Sequence, residues 1–145
     1  MSTMTDAPAM TEVARAFFEA CEAGKGWEAC SAYCHPDATF AAQAEALAEI
    51  TKLADYTEWM KAMTPILPDA RYDLRSFATD AERGNVSAYA VFMGTHTGEG
   101  GPVAPTGRSV STDYVYVMDF DGGKIRHMTK IWNDGLALKA LGWAE

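Results

Sequence analysis

A stretch of alternating residues near the end of the chain constrains the fold most strongly. Between residues 110 and 120 the even positions are mostly large and apolar, and the odd positions are mostly smaller or charged. A period of two is typical of a β-strand with two different faces. The sequence Asp121-Gly122-Gly123 follows, which predicts a three-residue hairpin loop whose last position favours glycine because it needs a positive φ. A second strand, from Lys124 to Asp134, is predicted to return antiparallel to the first.

The loop length sets which residues of the two strands face each other. With three loop residues, Phe120 would lie opposite Lys124. Directly opposite side chains of an antiparallel pair lie on the same face. One face of the hairpin is therefore predicted to carry Tyr114, Tyr116, Met128, Lys130 and Trp132, with Tyr116 opposite Met128 and Tyr114 opposite Lys130. Two phenols and an amine among apolar side chains are typical of a small-molecule pocket.

Length and composition are consistent with one compact domain spanning residues 1–145. The chain has 145 residues, of which 48% are hydrophobic, enough for a single core. A net charge of −8 argues against nucleic acid as a partner, because phosphates would be repelled. Residues 1–10 contain no basic or apolar segment and are expected to be flexible, and no apolar run is long enough to span a membrane. Three cysteines, an odd number, fit reduced thiols in a cytoplasmic protein.

The remaining pattern predicts helices in the first half of the chain and strands in the second. A first helix is predicted to end at Gly24, where a C-cap belongs, and residues 43–50 fit either a helix or an ordered flap. The other predicted elements are helices at 27–34 and 51–64, strands at 37–41, 71–78 and 86–97, and a helical turn at 135–141. Helices followed by antiparallel strands predict an α+β domain in which a curved sheet packs its helices on one side.

Four short strings carry a resemblance to a known family. They are Gly94-Thr95-His96-Thr97-Gly98, Pro105-Thr106-Gly107-Arg108, Gly123-Lys124-Ile125 and Leu141-Gly142. In this order and spacing, the chain resembles the SnoaL-like polyketide cyclases of the NTF2-like superfamily, most clearly over residues 94–142. The resemblance implies a cone-shaped α+β barrel whose helices close a deep cavity on the concave face of the sheet. It also implies a homodimer formed through the other face.

The resemblance implies an aldol cyclisation of a hydrophobic, oxygenated compound without a cofactor, but the family's catalytic residues are replaced. Lys130 stands at the position of the family's acid/base aspartate. Tyr116 stands at the histidine position and Tyr114 at the glutamine position. Two classes of function therefore stay open, an enzyme that uses enolate chemistry and a non-catalytic small-molecule binder. A purely dimeric scaffold is a third alternative.

The replacement residues suggest their own chemistry. Burial disfavours the charged form of an amine, so Lys130 could act as a base near neutral pH or form a Schiff base with a carbonyl. Tyr114 and Tyr116 could donate hydrogen bonds to a developing enolate. The alternative is that Lys130 only pairs with a carboxylate such as Asp134 or Glu45. His96 is predicted either to act as an acid/base or to be a rim histidine held by the loop at 98–107.

Other residues are predicted to line the cavity or to cover the outer face of the sheet. The predicted ligand-binding residues are Tyr56, Trp59, Met60 and Met63 on the third helix, together with Phe92, Met128, Trp132 and Asp134. No metal site is predicted, because the spacing of Cys30, Cys34 and His35 matches no zinc pattern. The opposite hairpin face carries Val115, Val117, Ile125 and Ile131, which is too apolar to be left in water and predicts a dimer.

Overall fold

The computed structural model describes residues 7–144, which form an α+β domain. Its helices are α1 (Ala7–Glu22), α2 (Gly26–Cys30), α3 (Leu53–Met63) and α4 (Asp134–Leu141). Its strands are β1 (Cys34–Gln43), β2 (Arg71–Asp80), β3 (Asn85–Thr95), β4 (Ser109–Asp121) and β5 (Lys124–Trp132). Two short 3₁₀ segments, Ser31–Tyr33 and Glu45–Leu47, flank β1. The predicted α+β class is confirmed.

The strands form one curved, unclosed sheet in the order β1-β5-β4-β3-β2. Strands β2 to β5 pair with one another in antiparallel fashion, as the alternating pattern and short connections predicted. Strand β1 departs from this arrangement, because it pairs parallel with β5. These two strands are separated by most of the chain, so no hairpin turn dictates their relative direction. The helices and the inner face of this sheet enclose the core.

The hairpin between β4 and β5 differs from the predicted loop. Only Gly122 and Gly123 form the loop, with φ of 61° and 88°, and Asp121 pairs with Lys124. Positive φ at both central positions is the signature of the two-residue type I′ turn, which matches the twist of the strands. Glycine tolerates this backbone conformation because it has no Cβ. The three-residue loop prediction is therefore wrong.

A β-bulge follows the turn and restores the predicted faces. Arg126 is an extra residue on β5 between two successive pairs of the ladder. Beyond it, Tyr116 lies opposite Lys130 and Tyr114 opposite Trp132, two residues away from the predicted register. A shift by two leaves every side chain beyond the bulge on its predicted face. Ile125, which precedes the bulge, changes face and is fully buried in the core instead of on the outer surface.

The helices mostly follow the sequence pattern. Helix α1 buries Met10 at its start, and residues 1–6 lie outside the described part of the chain. Residues 43–50, left open by the sequence, end β1 and form the 3₁₀ turn Glu45–Leu47. Helix α4 is capped by Asn133, whose side chain accepts a hydrogen bond from Leu136 N. Within residues 7–144, no helix is both long and apolar enough to cross a membrane.

Candidate active site

A cavity lies between the inner face of the sheet and helices α3 and α4. Its wall is mostly apolar and includes five of the residues predicted to bind a ligand: Trp59, Met60, Met63, Phe92 and Trp132. Leu67, Val110, Leu141 and Trp143 complete much of the remaining wall. The polar side chains in the wall are Glu22, Thr112, Tyr114 and Lys130. An apolar pocket with a few convergent polar groups is the usual form of a small-molecule site.

Glu22 is the acidic residue of this cavity, and the sequence reasoning missed it. It is the last residue of α1 and is only 8% exposed. Its carboxylate accepts hydrogen bonds from the hydroxyl groups of Tyr114 and Tyr116. The signal was present in the sequence, because Glu22 follows Phe18 by four residues and so extends the apolar stripe of the helix. An acidic residue in a buried stripe is unusual and points to a function or a partner.

Lys130 projects from β5 into a ring of aromatic side chains and is only 5% exposed. Its Nζ lies 4.3 Å from the ring centre of Trp132, and four further rings lie within 5.9 Å: Tyr56, Trp59, Tyr114 and Tyr116. Aromatic faces attract a cation at this range and partly replace the lost water. The ion pairs formed by residues 7–144 lie on exposed side chains, and none of them includes Lys130.

A chain of hydrogen bonds connects Lys130 to Glu22 through two buried tyrosines. Lys130 Nζ donates to Tyr56 Oη over 2.9 Å. Tyr56 Oη lies 2.5 Å from Tyr116 Oη, and Tyr116 Oη donates to Glu22 Oε2 over 2.5 Å. Tyr114 binds the other carboxylate oxygen of Glu22. Helices α1 and α3 and strands β4 and β5 therefore each contribute one or more groups to a single polar network.

Burial shifts the protonation of both charged groups toward their neutral forms. Loss of water lowers the pKa of Lys130 to about 8, although the negative charge of Glu22 opposes this shift. Burial also raises the pKa of Glu22, and the hydrogen bonds from Tyr114 and Tyr116 limit the rise. The pKa of each tyrosine in the network is raised, first by burial and then by the nearby carboxylate, so the phenols remain protonated donors.

Three residues predicted for the site lie behind the cavity wall. Tyr116, Met128 and Tyr56 are fully buried in the core and do not line the cavity. Tyr116 and Met128 lie on the predicted face of the sheet, where Tyr116 packs against Phe18 of α1 and Tyr56 of α3. Tyr56 and Tyr116 reach the cavity only through their hydrogen bonds to Lys130 and Glu22.

Asp134, which was predicted to bind a ligand, does not line the cavity and forms no ion pair with Lys130 within the described residues. Its Oδ2 accepts a hydrogen bond of 2.7 Å from the backbone N–H of Ala46, which links the start of α4 to the 3₁₀ turn after β1. Its charge raises the pKa of Lys130 to a lesser degree than Glu22 does. The direct carboxylate partner predicted for Lys130, Asp134 or Glu45, is replaced by a connection through tyrosines to Glu22.

His96 is buried at the edge of the cavity and does not line it. Its Nδ1 accepts hydrogen bonds from Trp143 Nε1 at 2.9 Å and from the backbone N–H of Thr106 at 3.3 Å. Two donors on Nδ1 place the proton on Nε2, which has no hydrogen-bond partner among the described residues. The arrangement matches the rim histidine held by the loop at 98–107. His96 supports Trp143, which does line the cavity.

The polar groups in this cavity can move protons on a bound molecule. A carboxylate in an apolar pocket is a stronger base than in water, because burial destabilises its charge. An ammonium group in the same pocket can stabilise negative charge that develops on an oxygen atom. The combination suits removal of a proton from a carbon atom next to a carbonyl group.

Solved structures share this fold at low sequence identity. The candidate hydroxylase AclR of Streptomyces galilaeus superposes with a TM-score of 0.76 at 20% identity, over 97% of this chain and 89% of its own. The candidate polyketide cyclase IdmH of Streptomyces antibioticus gives 0.73 at 18% identity, over 92% and 98%. An NTF2-like protein of Burkholderia thailandensis gives 0.70 at 16% identity, over 90% and 95%. At these identities the likeness concerns the fold.

Comparison with family sequence patterns is more specific. A search of curated proteins returned no match. The pattern of the SnoaL-like polyketide cyclases, however, matches residues 12–141, from the second turn of α1 to the end of α4. This span contains every group of the hydrogen-bonded network and every residue that lines the cavity except Trp143. The chain therefore belongs to the SnoaL-like polyketide cyclase family and has its NTF2-like fold.

Proposed function

We propose that the protein binds a hydrophobic, oxygenated small molecule and, without a cofactor, removes a proton from a carbon next to its carbonyl group. The observation that carries this proposal is the presence of Glu22 and Lys130 together in the wall of one apolar cavity. The family's cyclisation chemistry also begins with an enolate, which supports a ketone as the reacting group. A cyclisation, an isomerisation and a dehydration all share this first step.

Each of the two groups has a distinct task in this mechanism. The carboxylate of Glu22 takes the proton from carbon, and the electron pair of the broken C–H bond moves onto the carbonyl oxygen as the enolate forms. Lys130, still an ammonium group below pH 8, donates a hydrogen bond or a proton to that oxygen. The enolate carbon then attacks a second carbonyl group or is protonated again. Lys130 thus donates to oxygen from the position that the aspartate occupies in the family. Glu22, on a different element, takes over the aspartate's task as the base.

Exchange of α-protons tests the proposal directly. Cyclohexanone in D₂O, followed by proton NMR, reports enolate formation without knowledge of the natural substrate. Glu22→Gln and Lys130→Met should each slow exchange by about 100-fold or more, the range of general acid–base catalysis. Glu19→Gln, an exposed acid on the same helix, should exchange like the parent protein. Exchange at the parental rate in both site variants would refute the proposal.

Lys130 could alternatively form a Schiff base with the ketone, as its lowered pKa permits. Borohydride reduction in the presence of cyclohexanone would then attach the ring covalently to Lys130, and peptide mass spectrometry would locate it. Lys130→Arg should retain partial exchange if the residue only stabilises an oxyanion, and none if it must form the imine.

A second candidate function is a non-catalytic binder of the same class of compound. It is favoured by the internal pairing of the polar groups in the cavity, since Lys130 donates to Tyr56 and Glu22 accepts from two phenols. Such satisfied groups stabilise the fold without any reaction. A ketone ligand that raises the melting temperature equally in the parent protein and in Glu22→Gln, with no exchange in either, would support the binder.

A further inference from the structure

Tyr56 and Tyr116 occupy an unusual position in this network. Both are fully buried, neither lines the cavity, and their hydroxyl groups are the only two links between Lys130 and Glu22 in the hydrogen-bonded chain described above. The two ends of the chain do line the cavity. A molecule in the cavity would therefore touch both ends, and the connection between the ends would run behind the wall.

Donor and acceptor rules fix the direction of this chain when both ends are charged. An ammonium group can only donate, so Tyr56 accepts from Lys130 and keeps its own proton for Tyr116. An ionised carboxylate can only accept, so Tyr116 gives its proton to Glu22. Every hydroxyl proton then points from Lys130 toward Glu22. In this state the chain can pass protons only from Lys130 toward Glu22, so the hydroxyl groups must turn before a proton can pass the other way.

We infer that Tyr56 and Tyr116 form a proton relay through which Lys130 and Glu22 share one proton, which makes the two ends a single acid/base unit. The inference rests on the proposed function for its catalytic meaning. After Glu22 has taken a proton from carbon and Lys130 has given one to oxygen, both ends are neutral. Once the hydroxyl groups have turned, Glu22 passes its proton to Tyr116, Tyr116 passes its own to Tyr56, and Tyr56 passes its own to Lys130. The carboxylate and the ammonium are restored, and no proton is gained or lost.

The surroundings favour sharing of the proton. With the proton at either end, every hydroxyl group in the chain still has a donor or acceptor neighbour, so neither arrangement leaves a buried polar group unpaired. Burial disfavours both charges, and the pKa of Lys130 falls while that of Glu22 rises, so the two forms approach each other in free energy. Among the described residues, the other titratable groups that act on this pair are Cys21, Tyr114 and Asp134. The pKa of Cys21 is raised well above its usual value by burial, and that of Tyr114 is raised as well, so Asp134 is the charged one of these three groups.

A substrate-free titration tests the relay. In protein labelled with ¹³C at Glu Cδ and Lys Cε, the signals of Glu22 and Lys130, assigned with Glu22→Gln and Lys130→Met, should step at one common midpoint. Tyr116→Phe removes one link and should abolish the step of Glu22 at the midpoint of Lys130. Tyr114→Phe is the matched control, because it removes the other phenol bonded to Glu22 and leaves the chain intact. The inference would be overturned if the Glu22 signal did not change with pH in the parent protein. It would also be overturned if Tyr116→Phe and Tyr114→Phe gave the same titration.

The rate of α-proton exchange in cyclohexanone provides a second test of the relay. Tyr56→Phe and Tyr116→Phe should lower kcat for exchange by about tenfold or more with little change in KM, because resetting of the acid/base unit slows while the cavity wall is unchanged. Tyr72→Phe, a half-buried phenol that packs on Phe18 outside the chain, should retain the parental rate. If exchange needs Glu22 and Lys130 but neither tyrosine, and the titrations are independent, the relay fails and the proposed function stands. If no exchange occurs in any protein, the proposed function fails and the titration alone decides on the relay.

Discussion

At the scale of single residues, the balance between burial and compensation decides the state of Lys130. Moving an ammonium group out of water costs several kcal/mol, and cation–π contacts each return about 0.5–2 kcal/mol. The contacts with Trp132 and Tyr56 and the hydrogen bond to the Tyr56 hydroxyl all act on this one group. The compensation is incomplete, since the pKa of Lys130 still falls to about 8. An amine with this pKa can change its charge near neutral pH, which is the property that general acid–base catalysis requires.

The lowered pKa makes a prediction for stability. Between pH 8 and about 10, the unfolded chain still holds the Lys130 proton that the folded protein has lost, so the free energy of unfolding should rise with pH. Below pH 8 Lys130 is protonated in both the folded and the unfolded protein, so the cost of burying its charge does not change with pH. Relative to Lys130→Met, the parent protein should gain up to about 3 kcal/mol over this range, measured by urea denaturation at several pH values. Lys124→Met, an exposed lysine of the same strand, controls for net charge. Parallel curves for parent and Lys130→Met would contradict the assigned shift.

At the scale of elements, the rim of the cavity depends on one histidine. His96, which directly follows β3, accepts hydrogen bonds from Trp143 and Thr106, and Thr106 Oγ1 also donates to Leu141 O over 2.6 Å. These contacts join the loop before β4 to the C-terminal end of α4. Hydrogen bonds outside the cavity therefore hold the part of its wall that α4 and Trp143 form.

Substitution of His96 should weaken these contacts and raise the mobility of α4 more than that of α1. His96→Leu removes the acceptor and leaves two donors unpaired, which should destabilise the fold by about 1–3 kcal/mol and speed hydrogen exchange in α4. His96→Asn is the matched variant, since its side-chain oxygen can lie near the position of Nδ1 and accept from Trp143. The measurement is amide hydrogen exchange of α4 compared with that of α1. Equal protection of α4 in the leucine variant and the parent would show that His96 does not hold the rim.

The strands and helices also show which features of the fold could be predicted from the sequence. The period of two in β4 and β5 identified the inner face correctly, because the pattern survives any register shift by two residues. The pattern could not identify the loop. A two-residue turn followed by a one-residue bulge places the same residues on the inner face as a three-residue loop does, so the alternation fits both. Glu22 was missed because it was not recognised as part of the buried stripe of the first helix, which runs through Ala14 and Phe18. The parallel pairing of β1 with β5 is a long-range contact that no local pattern encodes.

At the scale of the whole molecule, residues 7–144 leave one face of the sheet without a covering layer. The helices pack on the inner face, while Tyr89, Val115 and Ile131 form a row across β3, β4 and β5 on the outer face. Tyr89 is 36% exposed and Ile131 49% exposed. Adjacent apolar side chains on three neighbouring strands form a patch of the kind that marks an interaction surface. Ile125 does not contribute to this patch, since the bulge turns it into the core.

We propose that a second copy of the chain covers this outer face and that the protein is a homodimer. A two-fold axis would place the row on itself, and a stable interface would bury about 800 Å² on each subunit. Sedimentation equilibrium at micromolar concentration should therefore give twice the mass of 15.7 kDa. Ile131→Lys, which places a charge in the centre of the row, should dissociate the dimer without unfolding the subunit, because the side chain already reaches solvent. Leu136→Lys, an exposed apolar residue on α4, should leave the mass unchanged. A monomer in the parent protein would contradict the proposal, and so would an Ile131→Lys variant that remains dimeric, because the contact would then lie on another surface.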